Sequence, residues 1–413
     1  MRLKFLGGVN EVGRLGMVME VAGNSYLFDY GIAPSDPPQY PDPAPDVDMA
    51  FLSHAHLDHS GYLPWFAGHR RAPIYTTPVS SPIADLLARD SLKICKAEGY
   101  PYPYTMEDVE AMNAAFEHIH HGETFDAGRG VEMRFHSAGH IPGSTMFEVR
   151  DPQAGKTTLF TGDINLVETR LQKPAKPVPC DTLIIEATYS GRNHPDRKQT
   201  EEAFLDAVDG IVSQGGRVLV PSFATGRTQE ILLLLAKAGY EVWLDGMGKT
   251  VTQIMLAESR YLKSPRDLNE AFQRTHLVKS RHMRERALQG DVIVATSGML
   301  EGGPSVHYVE QMHKDPKSAV FFTGFQVPGS GGRNLLETGT LNVAGVTEKV
   351  ACEVRRFDFS AHAGHDEIVA FARACRAQDI VLFHSDNRGP LAEALGEFAK
   401  VHLPVTGESV ILP

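Results

Sequence analysis

The chain is short of what several protein classes require. It has only four cysteines, Cys95, Cys180, Cys352 and Cys375, far apart and without CxxC spacing. That argues against a disulfide framework and against a thiolate zinc site, and it fits a reducing cytoplasm. A basic excess is missing as well: 40 Lys and Arg against 51 Asp and Glu give a formal net charge of −11. Binding to nucleic acid through a broad basic surface is therefore excluded, and any polyanion site must be a local cleft. Long hydrophobic runs are absent. The longest aliphatic stretch, "ILLLLA" at 231–236, is too short to cross a bilayer, and the N-terminal "MRLKFLGGVNEVG" has no apolar signal-peptide core. A soluble protein with no membrane partner is expected. There are no repeats, low-complexity tracts or coiled-coil heptads, and Pro-rich "APSDPPQYPDPAPD" at 33–46 reads as a rigid surface loop.

What is present is enough for a large core: 413 residues, 42% of them hydrophobic, suggest two domains. Short apolar or alternating runs, "RLKFLG", "MVMEVAG", "SYLFDYG" and "VDMAFLSH", crowd the first 54 residues and read as strands joined by tight turns. Helical period follows in "SSPIADLLARDSLKICKAEG" and "TMEDVEAMNAAFEHI", the latter with Thr105 and Asp108 placed for a capped start. Strands return in "VEMRFHSAGH", "STMFEVR", "KTTLFTGD" and "DTLIIEATY". From about residue 191, helix and strand alternate as in a parallel α/β unit, to about 350. Beyond it, "VACEVRRFDFSAHAG" and "DIVLFHSDN" look like strands ending in histidine-bearing loops.

The densest chemistry is in "FLSHAHLDHSGYLPWF" at 51–66. His54-x-His56-x-Asp58-His59 does not suit one helix face, where ligands would sit at i and i+4, so a turn must present it. A strand ending near Ser53 and a helix starting near Ser60 would let all four side chains converge. His140, Asp163 and His384 each follow an apolar strand at a turn, which is how sheet-based sites gather ligands from distant sequence. Alone, His140 or His384 is equally a hydrogen-bonded core histidine and Asp163 a turn residue; together with the first cluster they form a set. His54, His56 and His140 can complete one tetrahedral site and Asp58, His59 and His384 another, with Asp163 bridging. Imidazole and carboxylate without thiolate suit two Zn²⁺ and tolerate Mn²⁺. A shared oxygen between them would be a nucleophile at neutral pH. "EHIHHGETF", with His118, His120 and His121, lacks acidic partners and reads as a surface or packed cluster, and "DGMGKT" at 245–250 fails the P-loop spacing GxxxxGK.

In their order, these residues resemble the metallo-β-lactamase superfamily, with Asp29 of "LFDYG" matching its early aspartate behind the ligands. "DTLIIEATYSGRNHPDR", "PSFATGRTQEILLLL", "ATSGMLEGGPSVHYV", "FTGFQVPGSGGRNLLETG" and "FSAHAG" are similar to the β-CASP nucleases, particularly the branch of the cleavage and polyadenylation specificity factor endonuclease. The resemblance covers essentially the whole chain. It implies a metallo-β-lactamase αββα sandwich, α/β in class, from residues 1–190 and 351–413, with a β-CASP domain over 191–350 inserted as a cap and the substrate between them. It also implies His362 as general acid, Glu186 orienting it, and Asp58 among the catalytic groups. A histidine at 384 accompanies RNA-processing members, although the following "SDN" departs from the expected "GE".

For phosphate contacts, "SFATGR" offers Ser222, Thr225 and Arg227 at a strand-to-helix turn where free N–H groups favour anions, "TSGML" offers Thr296 and Ser297, and "GSGGR" offers Arg333. Helix capping explains each equally well. The expected function is a zinc-dependent ribonuclease that hydrolyses RNA phosphodiesters through a metal-bridging hydroxide, cutting internally. The alternatives are a 5′–3′ exonuclease of the ribonuclease J kind, a small-molecule hydrolase on the same metals, and a non-catalytic scaffold subunit. The resemblance further implies a homodimer or an RNA-processing complex as partner.

Overall fold

A computed structural model describes every residue except 36, 102, 344 and 413. Contacts divide the chain into two units: Met1–Glu168 with Lys173–Asn193 and Ala361–Pro413, and Thr169–Gln172 with His194–Ser360.

The first unit holds two seven-stranded sheets. One runs in the order Ser409–Ile411, Arg2–Gly7, Gly16–Val21, Asn24–Tyr30, Met49–Phe51, Ile74–Thr76, Phe116–His118. The other runs Lys400–His402, Asp379–Phe383, Thr182–Glu186, Lys156–Phe160, Thr145–Asp151, Glu132–Ser137, Thr124–Asp126. Alternation in the sequence fixes which side chains meet between them. Leu3, Phe5, Met17, Phe28 and Phe51 of the first sheet pack against Met133, Phe135, Phe147, Phe160, Ile184, Val381 and Phe383 of the second. On its other face the second sheet turns Leu159, Leu183, Ile185, Ile380 and Leu382 toward Ile368, Phe371, Leu391 and Leu395 of helices His365–Cys375 and Gly389–Gly396. Helix Leu63–His69 packs on the first sheet, Phe66 and Trp65 lying 6.3 and 6.1 Å from the Tyr30 ring. The result is the αββα sandwich. The capped start at Thr105 forms as a reciprocal box with Asp108.

The second unit is built on a six-stranded parallel sheet, ordered His276–Leu277, Val242–Asp245, Val292–Ala295, Val218–Pro221, Ala319–Phe322, Glu353–Arg356. Its inner strands read VWLD, VIVA, VLVP and AVFF and are buried throughout, because a parallel sheet is covered on both faces.

Three expectations need correction. Residues from 351 do not return directly to the first unit, since Glu353–Arg356 pairs in parallel with Ala319–Phe322 as the edge strand of this sheet. Likewise, the first unit runs on past 190. Gly191 N donates to His365 Nδ1 at 3.0 Å and Asn193 Nδ2 to Asp366 Oδ2 at 2.7 Å, tying this stretch to helix His365–Cys375. Thr169–Gln172 joins the second unit instead, because the buried Glu230 carboxylate accepts from the amides of Arg170 and Leu171 at 2.9 and 2.8 Å. The Pro-rich loop, apart from residue 36, lies outside regular structure save for a bridge between Ala33 and Gln39.

Candidate metal centre

All seven expected ligands lie in the first unit, and strand direction explains why they meet. Lys156–Phe160, Thr182–Glu186 and Asp379–Phe383 are adjacent and parallel. Their C-terminal ends therefore share one edge, where Asp163, Glu186 and His384 stand. The histidine-rich stretch follows Met49–Phe51, but its helix begins at Leu57 rather than near Ser60. Ser60 Oγ donates to the carbonyls of Ala55 and His56, both at 3.0 Å, and the amides of His59 and Ser60 donate to His56 O, closing a single turn that carries Asp58 and His59.

Three ring nitrogens converge. His54 Nε2 and His140 Nε2 each lie 3.1 Å from His56 Nδ1. Asp163 Oδ2 is 3.6 Å from His54 Nε2 and 3.8 Å from His140 Nε2. The surrounding hydrogen bonds assign the tautomers. His140 Nδ1 faces the Ala361 carbonyl at 2.7 Å, and a carbonyl only accepts, so Nδ1 carries the proton. Ser53 Oγ gives its one proton to Asp29 Oδ2 at 2.7 Å, hence it accepts from His54 Nδ1 at 3.0 Å. In both rings Nε2 is left with a lone pair. Burial pushes the pKa of His54, His56 and His140 below its ordinary value, so an extra proton does not neutralise the crowding. Both lone pairs face His56 Nδ1, whose one proton serves only one of them, whereas a cation serves both.

The second group is arranged around carboxylates. His59 Nδ1 donates to Asp29 Oδ2 at 2.8 Å, which turns Nε2 to within 3.2 Å of Asp163 Oδ2 and 3.9 Å of Asp58 Oδ2. His384 Nε2 is 3.4 Å from Asp58 Oδ2, and its Nδ1 is 3.4 Å from Asp163 Oδ1. His59 Nε2 and Asp163 Oδ1 are buried polar atoms with no well-directed hydrogen bond, a costly state that a bound ion would relieve. Burial opposes charge on His59, yet Asp163, Asp58 and Asp29 outweigh it and hold its pKa well above the ordinary value. Without a cation, this acidic pocket takes a proton in its place. Burial would raise the pKa of Asp58 and of Asp163, but His59 foremost among the histidines holds both low. His54, His56, His140 and Asp163 thus form one potential metal group and Asp58, His59 and His384 another. Asp163, Glu186 and His384 form a third, overlapping set that the motif spacing did not reveal.

Beside these groups, Glu186 is fully buried and accepts from His362 Nδ1 at 2.9 and 3.1 Å and from the Ile164 amide at 2.8 Å. Burial would lower the His362 pKa, but Glu186 and then Asp163 raise it to about 9. Three supporting partners have no motif of their own. Ser53 is one, the Ala361 carbonyl is another, and Thr188 Oγ1, 3.3 Å from His384 Nδ1, is the third. Their only sequence signal is adjacency: Ser53 precedes His54, Thr188 follows Glu186 by two residues, and Ala361 precedes His362. His118 Nε2 meets Ser81 Oγ at 2.8 Å and His121 Nε2 meets Thr145 Oγ1 at 3.1 Å, and none of that cluster joins a metal group among the described residues.

The phosphate candidates all lie in the second unit. Ser222 and Thr225 are buried in the turn between Val218–Pro221 and helix Arg227–Leu235, Thr225 Oγ1 having no hydrogen-bond partner. Thr296 follows Val292–Ala295, and the hydroxyl of its neighbour Ser297 caps the Glu301 amide at 3.0 Å. Arg333, in helix Gly331–Thr338, bonds Glu337 at 2.5 Å.

Comparison with known proteins decides the family. Residues 14–222 match the model of the metallo-beta-lactamase superfamily, 228–335 the Beta-Casp domain, and 347–404 the Zn-dependent metallo-hydrolase RNA specificity domain. The chain belongs to the β-CASP group of the metallo-β-lactamase superfamily. Membership in that superfamily implies a divalent metal, and the donor atoms just described fit one. Among β-CASP relatives, the chain is 36% identical to RNase aCSPSF2 of Saccharolobus solfataricus, over 99% of this chain and 85% of that protein. It is 35% identical to the probable RNase MJ4 of Methanocaldococcus jannaschii, over 94% of this chain and 93% of that protein. Transcription termination factor FttA of the latter organism is 32% identical over 93% of this chain and 67% of its own length. A crystal structure of a protein of unknown function from Enterococcus faecalis V583 matches with a TM-score of 0.63 and 15% identity, covering 100% of this chain and 99% of that one, a likeness of fold alone.

Proposed function

We propose that this β-CASP protein is a metal-dependent ribonuclease, a hydrolase that cuts RNA phosphodiester bonds. His54, His56, Asp58, His59, His140, Asp163 and His384 hold two Zn²⁺, for which Mn²⁺ can substitute. The observation that carries the reading is the meeting of seven donor side chains, Asp163 among them, with lone pairs turned inward and the His362–Glu186 pair alongside. RNA as substrate is supported by the RNA specificity domain match and by relatives named as RNases over nearly the whole chain.

Divalent ions bound there supply Lewis-acid polarisation of the phosphoryl group and a water acidified toward neutral pH. The chain's own residues do the rest. Asp163 Oδ2 stands between the two groups and ties them together. Asp58 keeps its charge through His59 and His384 and so sustains the second group. Glu186 fixes the His362 ring by its Nδ1, and His362 hands a proton from its other nitrogen to the leaving oxygen, giving a 3′-hydroxyl and a 5′-phosphate. Ser222, Thr225, Arg227, Thr296, Ser297 and Arg333 contact the RNA backbone. In this reading the first unit is the metallo-β-lactamase domain and the second the β-CASP domain. The protein works in the cytoplasm on RNA processing or decay, as a homodimer or within a processing complex.

The test is incubation of 5′-labelled and of 3′-labelled RNA, with and without a 5′-monophosphate, with the wild type and with Asp163→Ala and His384→Ala. Internal fragments are expected from the wild type and none from either variant at unchanged circular dichroism. Released mononucleotides would replace endonuclease by 5′–3′ exonuclease action, and full cleavage by either variant with verified metal content would refute the assignment.

A further inference from the structure

Asp29 is known by position as the aspartate behind the ligands, but its geometry reaches further than one histidine. Its Oδ1 accepts from the Ser53 amide at 2.6 Å. Its Oδ2 accepts from two donors at once, His59 Nδ1 at 2.8 Å and Ser53 Oγ at 2.7 Å. Ser53 Oγ in turn lies 3.0 Å from His54 Nδ1. A hydroxyl owns one proton, and here the carboxylate takes it, so the oxygen's lone pair is left for the His54 Nδ1 proton. His59 belongs to one potential metal group and His54 to the other. One carboxylate is therefore wired to both groups, directly to the second and through a single hydroxyl to the first.

We propose that Ser53 is a positioning residue that relays Asp29 to His54, fixing the proton on His54 Nδ1 and presenting His54 Nε2 to the first metal. The proposal rests on the metal-centre reading above. The hydroxyl also lies 3.5 Å from His59 Nδ1, but the proton on that nitrogen goes to Asp29 Oδ2 at 2.8 Å. Asp29, Ser53, His54 and His59 are all buried, so water does not compete for the hydroxyl. The Ser53 amide is held by Asp29, and its carbonyl accepts from the Thr145 amide at 3.0 Å, so the backbone is pinned on both sides and the hydroxyl cannot swing away. Gly162 encloses the residue: a Cβ there would lie 2.7 Å from Ser53 Cβ. Hydrogen-bond partners of ligating histidines orient the ring and raise ligand basicity, and losing one typically costs about 10- to 100-fold in metal affinity.

Two readouts test this, one of them independent of metal. In metal-free protein carrying ¹⁵N-histidine, long-range ¹H–¹⁵N correlations should place the His54 proton on Nδ1 in the wild type and move it to Nε2 in Ser53→Ala. Zinc titration against a chromophoric chelator should show the first equivalent bound about 10- to 100-fold more weakly by Ser53→Ala. Ser53→Thr, which keeps the hydroxyl, should restore both. Should Ser53→Ala melt early, Ser53→Cys is read instead, its thiol being a weak acceptor. An unmoved His54 proton with unchanged zinc affinity overturns the proposal, and so does a folded Ser53→Thr that behaves as the alanine variant does. A wild-type protein that takes up no zinc sinks the metal-centre reading, while the tautomer measurement still decides what Ser53 does.

Discussion

At the scale of single residues, His362 shows how a charge balance selects a role. Its ring is mostly buried, which disfavours the imidazolium, but Glu186 at 2.9 Å and Asp163 at 4.0 Å favour it more, and the balance lies at about pH 9. A histidine still protonated at neutral pH suits donation to a leaving oxygen, a task that typically contributes about 10² to 10⁴ in rate. His362→Ala should therefore retain its metal by elemental analysis and lose turnover by about that factor. Unchanged turnover would remove His362 from the role. The sign of the accompanying pH effect follows from the raised value. In metal-free protein, with a folded-state pKa near 9 against about 6.5 unfolded, the stability His362 contributes is fully present below about pH 6.5 and is lost as pH rises through about 9. Urea midpoints of the metal-free wild type should fall across that window more steeply than those of His362→Asn.

At the scale of elements, the one-turn helix Leu57–Ser60 is too short to hold itself and is laid down on the backbone of two other segments. Leu15 N donates to Asp58 O at 2.9 Å and Ile32 N to Leu57 O at 2.8 Å. Gly31 passes so close beneath that a Cβ on it would lie 1.8 Å from Asp58 O. Gly31→Ala should push this turn away, lower stability by roughly 1–3 kcal/mol and weaken zinc binding through Asp58 and His59. Gly210, exposed within helix Arg197–Val212 and with open space around a built Cβ, is the control: Gly210→Ala should raise stability by up to about 1 kcal/mol. Zinc titrations and urea midpoints read both, and wild-type zinc affinity in Gly31→Ala would show that the close approach does not place the turn. This turn also marks what the sequence could tell. The density of His54, His56, Asp58 and His59 called for a connecting turn; His54 and His56 stand in one, while Asp58 and His59 stand on the helix that follows it. Where its helix begins depended on Ser60 Oγ reaching back to Ala55 and His56, which no spacing encodes. Glu353–Arg356 was legible as a strand, but its alternation suits an edge of either sheet, so its membership was not.

At the scale of the whole molecule, the proposed ligands from His54 to His384 are gathered into one of the two units, because parallel strands deliver their C-terminal ends to a common edge however far apart they lie in the chain. That edge rule is why His140, Asp163 and His384 were readable as a set. Ser53, Thr188 and the Ala361 carbonyl were not, because a hydroxyl or a carbonyl acquires its partner only once the fold is complete. The concentration of ligands in one unit has a measurable consequence. An ion that binds the folded state alone stabilises it by about 2.7 kcal/mol when held 100-fold above its dissociation constant. Amides in the first unit that exchange only when the centre opens, such as those of Thr182–Glu186 and Asp379–Phe383, should then exchange about 100-fold more slowly than in metal-free protein. Val218–Pro221 and Val292–Ala295, in the unit with no potential metal group among its described residues, should keep their metal-free rates. Hydrogen exchange read by mass spectrometry, with zinc and after chelation, separates the two outcomes. Equal protection across both sets of strands would mean that the metal acts on more of the chain than the unit that carries its ligands.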